Sequence, residues 1–201
     1  MYKRQVQNND NLEGYKSIAI PGAISGLFLS HQMFGTIPMK ELMVPAIKLA
    51  RDGFYPEWYD LYAIGLYSGK FTRYSELAKT FLPDGEMPKS GILFKQPDLA
   101  DTLEHISRNG ADEFYKEDIA EEIARSTQEQ GGLITIEDLA NWKVYLEEPV
   151  KVNYKGIDVF KLTHWVQGPV MLQSLNMLEE FDLKSMGYNS SRYIHTLYQV
   201  Y

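Results

Sequence analysis

The sequence has no cysteine, only four histidines and no cluster of lysine and arginine. Without cysteine the chain has no disulfide, no thiolate metal ligand and no cysteine nucleophile. No histidine lies three to five positions from another, so there is no local metal-binding pair. A net charge of -7 without a basic cluster disfavours a nucleic-acid-binding protein, because phosphate binding needs a basic face.

Long apolar runs are also missing, so no segment is predicted to span a bilayer. The first ten residues, MYKRQVQNND, are polar and lack the apolar core of a signal peptide. The compartment is therefore left open. With 201 residues, 44% of them hydrophobic, the chain is predicted to be globular and long enough for one domain.

Helical periodicity dominates the first two thirds of the chain. A helix that opens at Pro21 and Gly22 is apolar over much of its surface, so we expect it to be buried. A second helix follows from Met39. Pro45 predicts a kink or a division into two pieces, and Gly53 is a stop signal.

Further helices are predicted from Pro97 to Gly110 and from Asp112 to the pair Gly131-Gly132, followed by a capping box at Thr135 and Asp138. Eight aromatic residues lie at helical spacing between residues 55 and 81, and we expect them in a core or an interface rather than on a ligand platform.

The period then changes from 3.6 to 2 around Val150, which predicts a β-hairpin with its turn at Lys155-Gly156. A loop is predicted at 163–169, then a helix. A last helix, capped by Asn189 or Ser190, has Ile194, Leu197, Tyr198 and Tyr201 as its apolar face. It continues to Tyr201 without a stop signal, so we expect the polypeptide to be a fragment.

Few residues suggest chemistry by themselves. His105 and His195 have the positions of structural or solvated side chains, whereas His164 lies in a loop beside Trp165, where functional residues are more common. A metal site at His164 and His195 is one hypothesis. The adjacent pairs Glu121-Glu122 and Glu147-Glu148 are predicted to form solvated faces. Ser25 resembles a nucleophile elbow only loosely.

From about Gly14 to the end, the sequence resembles the γ-glutamyltransferase family, also called glutathione hydrolases. Eight blocks carry the resemblance in the order of the family: Ile20-Pro21-Gly22 with Gly26, HQMFGTIP (31–38), PAIKLARDGF (45–54), FLPDG (81–85), QPDLA (96–100), GADEFY (110–115), GGLITIEDLA (131–140) and LNMLE (175–179).

The resemblance implies a fold that is mainly α with one β-hairpin, as a fragment of an αββα N-terminal nucleophile hydrolase. Such a precursor cuts itself before a threonine, which becomes the nucleophile. It then acts as a heterodimer of a large and a small subunit on γ-glutamyl small molecules, without a cofactor. Residues 1–13 are an unmatched polar tail, and residues 14–201 are a partial large-subunit domain that we expect to be truncated at both ends.

The resemblance also implies that the chemistry lies elsewhere. The nucleophilic threonine of the family belongs to a block downstream of Tyr201, and the arginine that binds the substrate carboxylate lies upstream of Gly14. We therefore predict no catalytic, substrate-binding or metal residue in this chain. The threonines outside that context are Thr36, Thr72, Thr80, Thr102, Thr127, Thr135, Thr163 and Thr196.

One block departs from the family. Residues 163–168, THWVQG, stand where many members have Pro-Pro-Ser-Ser-Gly-Gly, so a divergent γ-glutamyl hydrolase or an acylase of a related amide is an alternative to a transferase. Family members are often exported, but the localisation of this chain is unknown. A different class, a non-catalytic helical interaction module that binds through the aromatic stretch 55–81, is the second hypothesis.

Overall fold

The secondary structure is mainly helical, as the periodicity of the sequence predicts. The computed structural model describes residues 9–201 and contains eleven α-helices and one β-hairpin in that range, which confirms the mainly α prediction. The first eight residues of the predicted polar tail lie outside the described residues, and the division at residue 13 stays a prediction. The chain forms two compact units, Met1–Val144 and Tyr145–Tyr201. No described helix is both long and apolar enough to cross a membrane.

The first unit contains eight helices within its described residues. They are α1 (Ala23–Phe34), α2 (Met39–Asp52), α3 (Trp58–Phe71), α4 (Ser75–Phe81), α5 (Pro97–Asn109), α6 (Ala111–Tyr115), α7 (Asp118–Glu129) and α8 (Ile136–Ala140). Short 3₁₀ turns occupy Tyr15–Ser17 and Pro83–Gly85.

The buried core of this unit is built from small and branched side chains of its later helices. Ala120 and Ala124 of α7 pack with Ile134 and with Leu139 of α8. The predicted capping box holds α8 in place, because the Thr135 hydroxyl accepts from the Asp138 N–H while the Asp138 carboxylate accepts from the Thr135 N–H.

The first two helices differ from the expectations in one respect each. Helix α1 is not buried: none of its residues is fully enclosed, and Phe34 is 76% exposed. Helix α2 runs unbroken through Pro45, so the division into two pieces is wrong and the kink stays a prediction. Pro45 is exposed, so the carbonyl that loses its helical partner can be hydrated. Gly53 ends α2 as predicted.

The helix predicted after Asp112 is two helices, α6 and α7. They separate where the N–H groups of Lys116 and Glu117 both donate to the Asp112 carbonyl, at 2.7 and 3.2 Å. No glycine or proline marks this break, so helical periodicity alone does not predict it. Gly110 ends α5 as predicted and also forms the N-terminal boundary of α6.

The N-terminus of α1 is capped by a residue from α6. Gly22 supplies no capping side chain, and the Ser25 N–H, an unpaired donor of the first turn, donates to the Tyr115 hydroxyl at 3.2 Å. The same hydroxyl donates to the Pro21 carbonyl at 2.6 Å. Burial raises the pKa of Tyr115, so the hydroxyl keeps its proton at neutral pH. One side chain thus joins α6 to the start of α1.

The second unit begins with the predicted hairpin. Strands β1 (Val150–Tyr154) and β2 (Ile157–Lys161) pair antiparallel, with Val152 opposite Val159. Lys155 and Gly156 form the turn, both with positive φ, the type I′ geometry that matches the twist of the strands. Three helices follow: α9 (Gly168–Glu179), α10 (Leu183–Met186) and α11 (Ser191–Val200).

Helix α11 faces inward with a different stripe from the predicted one. Ser190 caps it as expected, but Tyr198 and Tyr201 are 79% and 78% exposed. The less exposed face is formed by Tyr193, Thr196, Leu197 and Val200. These residues also lie at i, i+3, i+4 and i+7, so the two stripes compete in the sequence, and packing selects the one with Thr196 at its centre.

We expect Tyr115→Phe to lower the free energy of unfolding by about 1–3 kcal/mol, because it leaves the Pro21 carbonyl and the Ser25 N–H without their partner. Urea unfolding followed by circular dichroism measures this loss. Tyr59→Phe is the matched control, since the Tyr59 side chain is exposed. Equal losses for the two variants would show that the Tyr115 hydroxyl does not cap α1.

Candidate functional site

The loop between β2 and α9 is held by a carboxylate from the segment before β1. Thr163 Oγ1 donates to Glu147 Oε2 at 2.8 Å, and Trp165 Nε1 donates to the same oxygen at 2.7 Å. Two loop side chains therefore converge on one acceptor. Residues 163–168, which differ from the corresponding block of the family, are therefore held in place by a residue outside the block.

The electrostatics of Glu147 indicate an anchoring residue. The hydrogen bond from Trp165, then that from Thr163, and then the nearby His164 hold the pKa of Glu147 below its usual range. An efficient general base has a pKa near the working pH, so the shift here runs in the wrong direction for that role. The carboxylate positions the indole and hydroxyl groups of the loop.

A groove of about 740 Å³ lies next to this loop in the second unit. Its walls are mainly apolar and come from the end of β2, the loop and the first turn of α9; they include Phe160, Leu162, Val166, Val170 and Met171. No nucleophile paired with a base lies among its lining residues.

The histidines do not assemble into a site. His31 lies 2.6 Å from the Ile37 carbonyl and links α1 to the following turn, and His105 and His195 are exposed, as expected for structural or solvated side chains. His164 is exposed in its loop. Within residues 9–201 no three His, Cys, Asp or Glu residues are grouped to hold a metal ion, so the pair His164 and His195 has no third ligand of these types there.

Four of the eight threonines make structural contacts. Thr80 and Thr102 donate to helix carbonyls four residues earlier, and Thr135 caps α8. Thr196 is buried and lies 3.6 Å from the Met186 sulfur. No contact of these four activates a nucleophile. That the reacting threonine lies outside this chain stays a prediction.

The aromatic stretch divides into a packed half and an exposed half. Phe71, Phe81 and Phe94 stack with ring centroids 5.0 and 5.9 Å apart. Trp58 and Tyr59 of α3 are mostly exposed. Phe71 and Phe81 are partly buried and Phe94 is buried, as expected for a core, and whether the exposed rings of α3 belong to an interface stays a prediction.

Two acidic residues have contacts that the sequence did not suggest. Glu147 was predicted to be solvated with Glu148, but it accepts two hydrogen bonds across the loop. Glu113 is 5% exposed on α6, although it lies in a polar stretch of sequence. No local sequence signal distinguishes these residues from other glutamates, because their contacts depend on how distant segments pack.

Comparison with known proteins identifies the class to which these features belong. In a search of solved structures, γ-glutamyltranspeptidase from Helicobacter pylori superposes with a TM-score of 0.93 at 32% identity, over 100% of this chain and 58% of that one. Its fold is that of the N-terminal nucleophile hydrolases.

The family assignment follows from sequence. The family model described as Gamma-glutamyltranspeptidase matches residues 1–201. The glutathione hydrolase proenzyme of Escherichia coli (strain K12) is 39% identical over 185 residues, which are 90% of this chain and 32% of that protein. This chain therefore belongs to the γ-glutamyltranspeptidase family, and the enzyme hypothesis is favoured over the helical interaction module.

The family also includes a relative with a different name. The acylase ACY 1 proenzyme of Pseudomonas sp. (strain SE83) is 33% identical over 97% of this chain and 35% of its own length. This chain spans about a third of the length of the curated relatives it matches.

The bond between Glu147 and Trp165 predicts a titration with a definite sign. Because the folded pKa is lowered, the bond is intact above the ordinary glutamate pKa of about 4.3 and is lost as the pH falls through the lower folded value. We expect the Trp165 indole N–H resonance to stay constant from about pH 7 to 5 and to move only below about pH 4.

Two controls accompany this titration. One is the indole N–H resonance of the exposed Trp58 in the same spectra, and the other is the Trp165 resonance in the Glu147→Gln variant. Neither should show the acid transition. A Trp165 transition centred above the ordinary glutamate value, or one that persists in Glu147→Gln, would contradict the assignment of Glu147 as its partner.

Proposed function

We propose that these 201 residues form part of the large subunit of a self-cleaving precursor that hydrolyses γ-glutamyl amides or transfers their acyl group. The observation that carries this proposal is the family match over residues 1–201. The curated relatives named glutathione hydrolase proenzyme support the substrate class, and the word proenzyme in those names fits cleavage of a precursor.

In this proposal the reacting groups lie in the rest of the precursor. A threonine outside this chain is the nucleophile after self-cleavage, and its free amine acts as the base. The γ-glutamyl group is held through its α-carboxylate and α-amine, and it passes through an acyl-enzyme to water or to an amino acid. This chain contributes scaffold and pairs with the small subunit of the same precursor.

The identity of the acyl group in the substrate is a more specific part of the proposal. An acylase stands among the relatives, and the loop 163–168 replaces a small, glycine-rich block with one that contains Trp165. The structural contact of Trp165 with Glu147 fixes this bulk in place. We favour a γ-glutamyl substrate because the relatives named for glutathione include the more similar ones.

The isolated 201-residue chain is expected to be inactive. Incubation with γ-glutamyl-p-nitroanilide should release no nitroaniline above the rate of a buffer blank, because the chain lacks the proposed nucleophile. The positive control is a complete glutathione hydrolase assayed in parallel. Clear turnover by the isolated chain would overturn the assignment of the chemistry to another segment.

The substrate class can be tested on the complete precursor after self-cleavage. γ-Glutamyl-p-nitroanilide and glutaryl-p-nitroanilide differ only in the α-amine, so the ratio of their kcat/KM values measures recognition of that group. We expect a preference for the γ-glutamyl compound of about tenfold or more, since a hydrogen bond to a charged group is lost with the glutaryl compound. An equal or reversed ratio would indicate an acylase.

A further inference from the structure

Helix α3 exposes three aromatic rings and a leucine on one side. The ring centroids of Trp58, Tyr59 and Tyr62 lie 5.7, 6.4 and 6.5 Å apart, and Leu66 continues the row by one turn. More than half of each of these four side chains is exposed. Together they expose on the order of 500 Å², since one aromatic side chain can bury about 150–250 Å². A patch of this size is typical of an interaction surface.

The centre of this exposed face follows a repeat of 3.5 residues. Trp58, Tyr62, Gly65 and Gly69 are separated by four, three and four positions, which is the spacing of an a/d seam in a pair of helices. The bulky side chains occupy only the first half of the seam. Among the described residues, a Cβ added at Gly69 would meet no atom within 4 Å, and one at Gly65 would meet the Met87 methyl at 3.5 Å. The seam is therefore bulky in its first half and hollow in its second.

A seam of this shape is complementary to its own reverse. Consider two copies of α3 that pack antiparallel about a two-fold axis between Ala63 and Ile64. Trp58 of each copy then lies opposite Gly69 of the other, and Tyr62 lies opposite Gly65, because the two members of each pair are equally far from the axis. Large residues opposite small ones pack closely. Such an isologous contact closes as a dimer and leaves no further seam open.

The charges at the two ends of α3 favour the same antiparallel arrangement. Glu57 and Asp60 lie at its start, whereas Lys70 and Arg73 lie at its end. The two cations share the single carboxylate of Glu13, at 3.3 and 3.0 Å, so a positive charge remains there. Antiparallel packing brings the acidic end of each helix beside the basic end of the other. It also opposes the two helix dipoles, whereas parallel packing would bring like charges together.

We propose that a second copy of this chain binds to the exposed face of α3, with the two helices antiparallel about a two-fold axis. The helix has 14 residues and is about 21 Å long. Two such faces bury about 1,000 Å² in total, which is near the lower limit for a specific interface. We therefore expect a weak dimer, with a dissociation constant on the order of 10–100 μM. The inference goes beyond the proposed function, so an activity assay does not decide it.

Sedimentation velocity of the 201-residue chain, from about 1 to 500 μM, measures the association. We expect Tyr62→Glu to weaken the dimer by about tenfold or more, because the two-fold axis brings the two new carboxylates close together. Tyr67→Glu is the matched control. It makes the same change at an exposed tyrosine about 140° around the helix from Tyr62, and it should alter the dissociation constant less than about twofold. A monomer at every concentration, or equal effects of the two variants, would overturn the proposal.

A disulfide tests the register, because the chain has no cysteine of its own. Positions 58 and 69 of one helix are about 16 Å apart, so a bridge in the Trp58→Cys/Gly69→Cys variant can form only between copies. We expect this variant to give a covalent dimer in an oxidising glutathione buffer. The control Trp58→Cys/Tyr67→Cys should give at least about five times less, since position 67 faces away from the seam. Equal yields, measured by non-reducing electrophoresis, would overturn the antiparallel pairing.

The alternative occupant of this face is the remainder of the precursor, and the complete processed protein distinguishes the two. If a second copy binds here, complete molecules should associate in pairs, and Tyr62→Glu should weaken that association while the large and small subunits stay together. Separation of the two subunits in Tyr62→Glu, with no change in the association of complete molecules, would overturn the proposal.

Discussion

The backbone reversal at Gly110 is the constraint on which the first unit depends. Gly110 has φ 85° and ψ -169°, a region that is essentially restricted to glycine. It ends α5 and starts α6 without an intervening loop, so α6 turns back against the helix before it. Through this reversal Tyr115 reaches the start of α1, and Glu113 comes to lie next to Asn109 and His105. The cap of α1 and the buried position of Glu113 therefore depend on one backbone conformation.

Local signals predicted the features that local forces determine. The hairpin was predicted because its alternation and its Lys155-Gly156 turn involve adjacent residues. The capping box at Thr135 is likewise complete within four residues. The exposure of α1, its cap from Tyr115 and the choice between two stripes on α11 were not predicted, because each depends on how distant residues pack. Helix α2 continues through Pro45 because an exposed proline removes a hydrogen bond on the side where water can replace it.

The contacts of two glutamates could not be predicted from local sequence signals either. Glu147 and Glu113 are ordinary glutamates in the sequence, yet one accepts two hydrogen bonds in an exposed loop and the other is enclosed with an unpaired oxygen. This contrast decides how each is interpreted. The two hydrogen bonds that Glu147 Oε2 accepts explain the position of this side chain, and a structural role is sufficient. The contacts of Glu113 leave one oxygen without a partner among residues 9–201, so a structural role explains only half of this carboxyl group.

The blocks of resemblance contain residues that determine the fold, which explains why the family is recognisable from this part of it. The block 110–115 includes both Gly110 and Tyr115, and the block 131–140 includes the capping box. The block 45–54 contains Gly53, where an added Cβ would lie 2.9 Å from the Phe94 carbonyl oxygen. Substitution at such positions breaks a cap, a reversal or a close approach. Their pattern therefore identifies a scaffold, and the chemistry that the scaffold supports has to be inferred from the family.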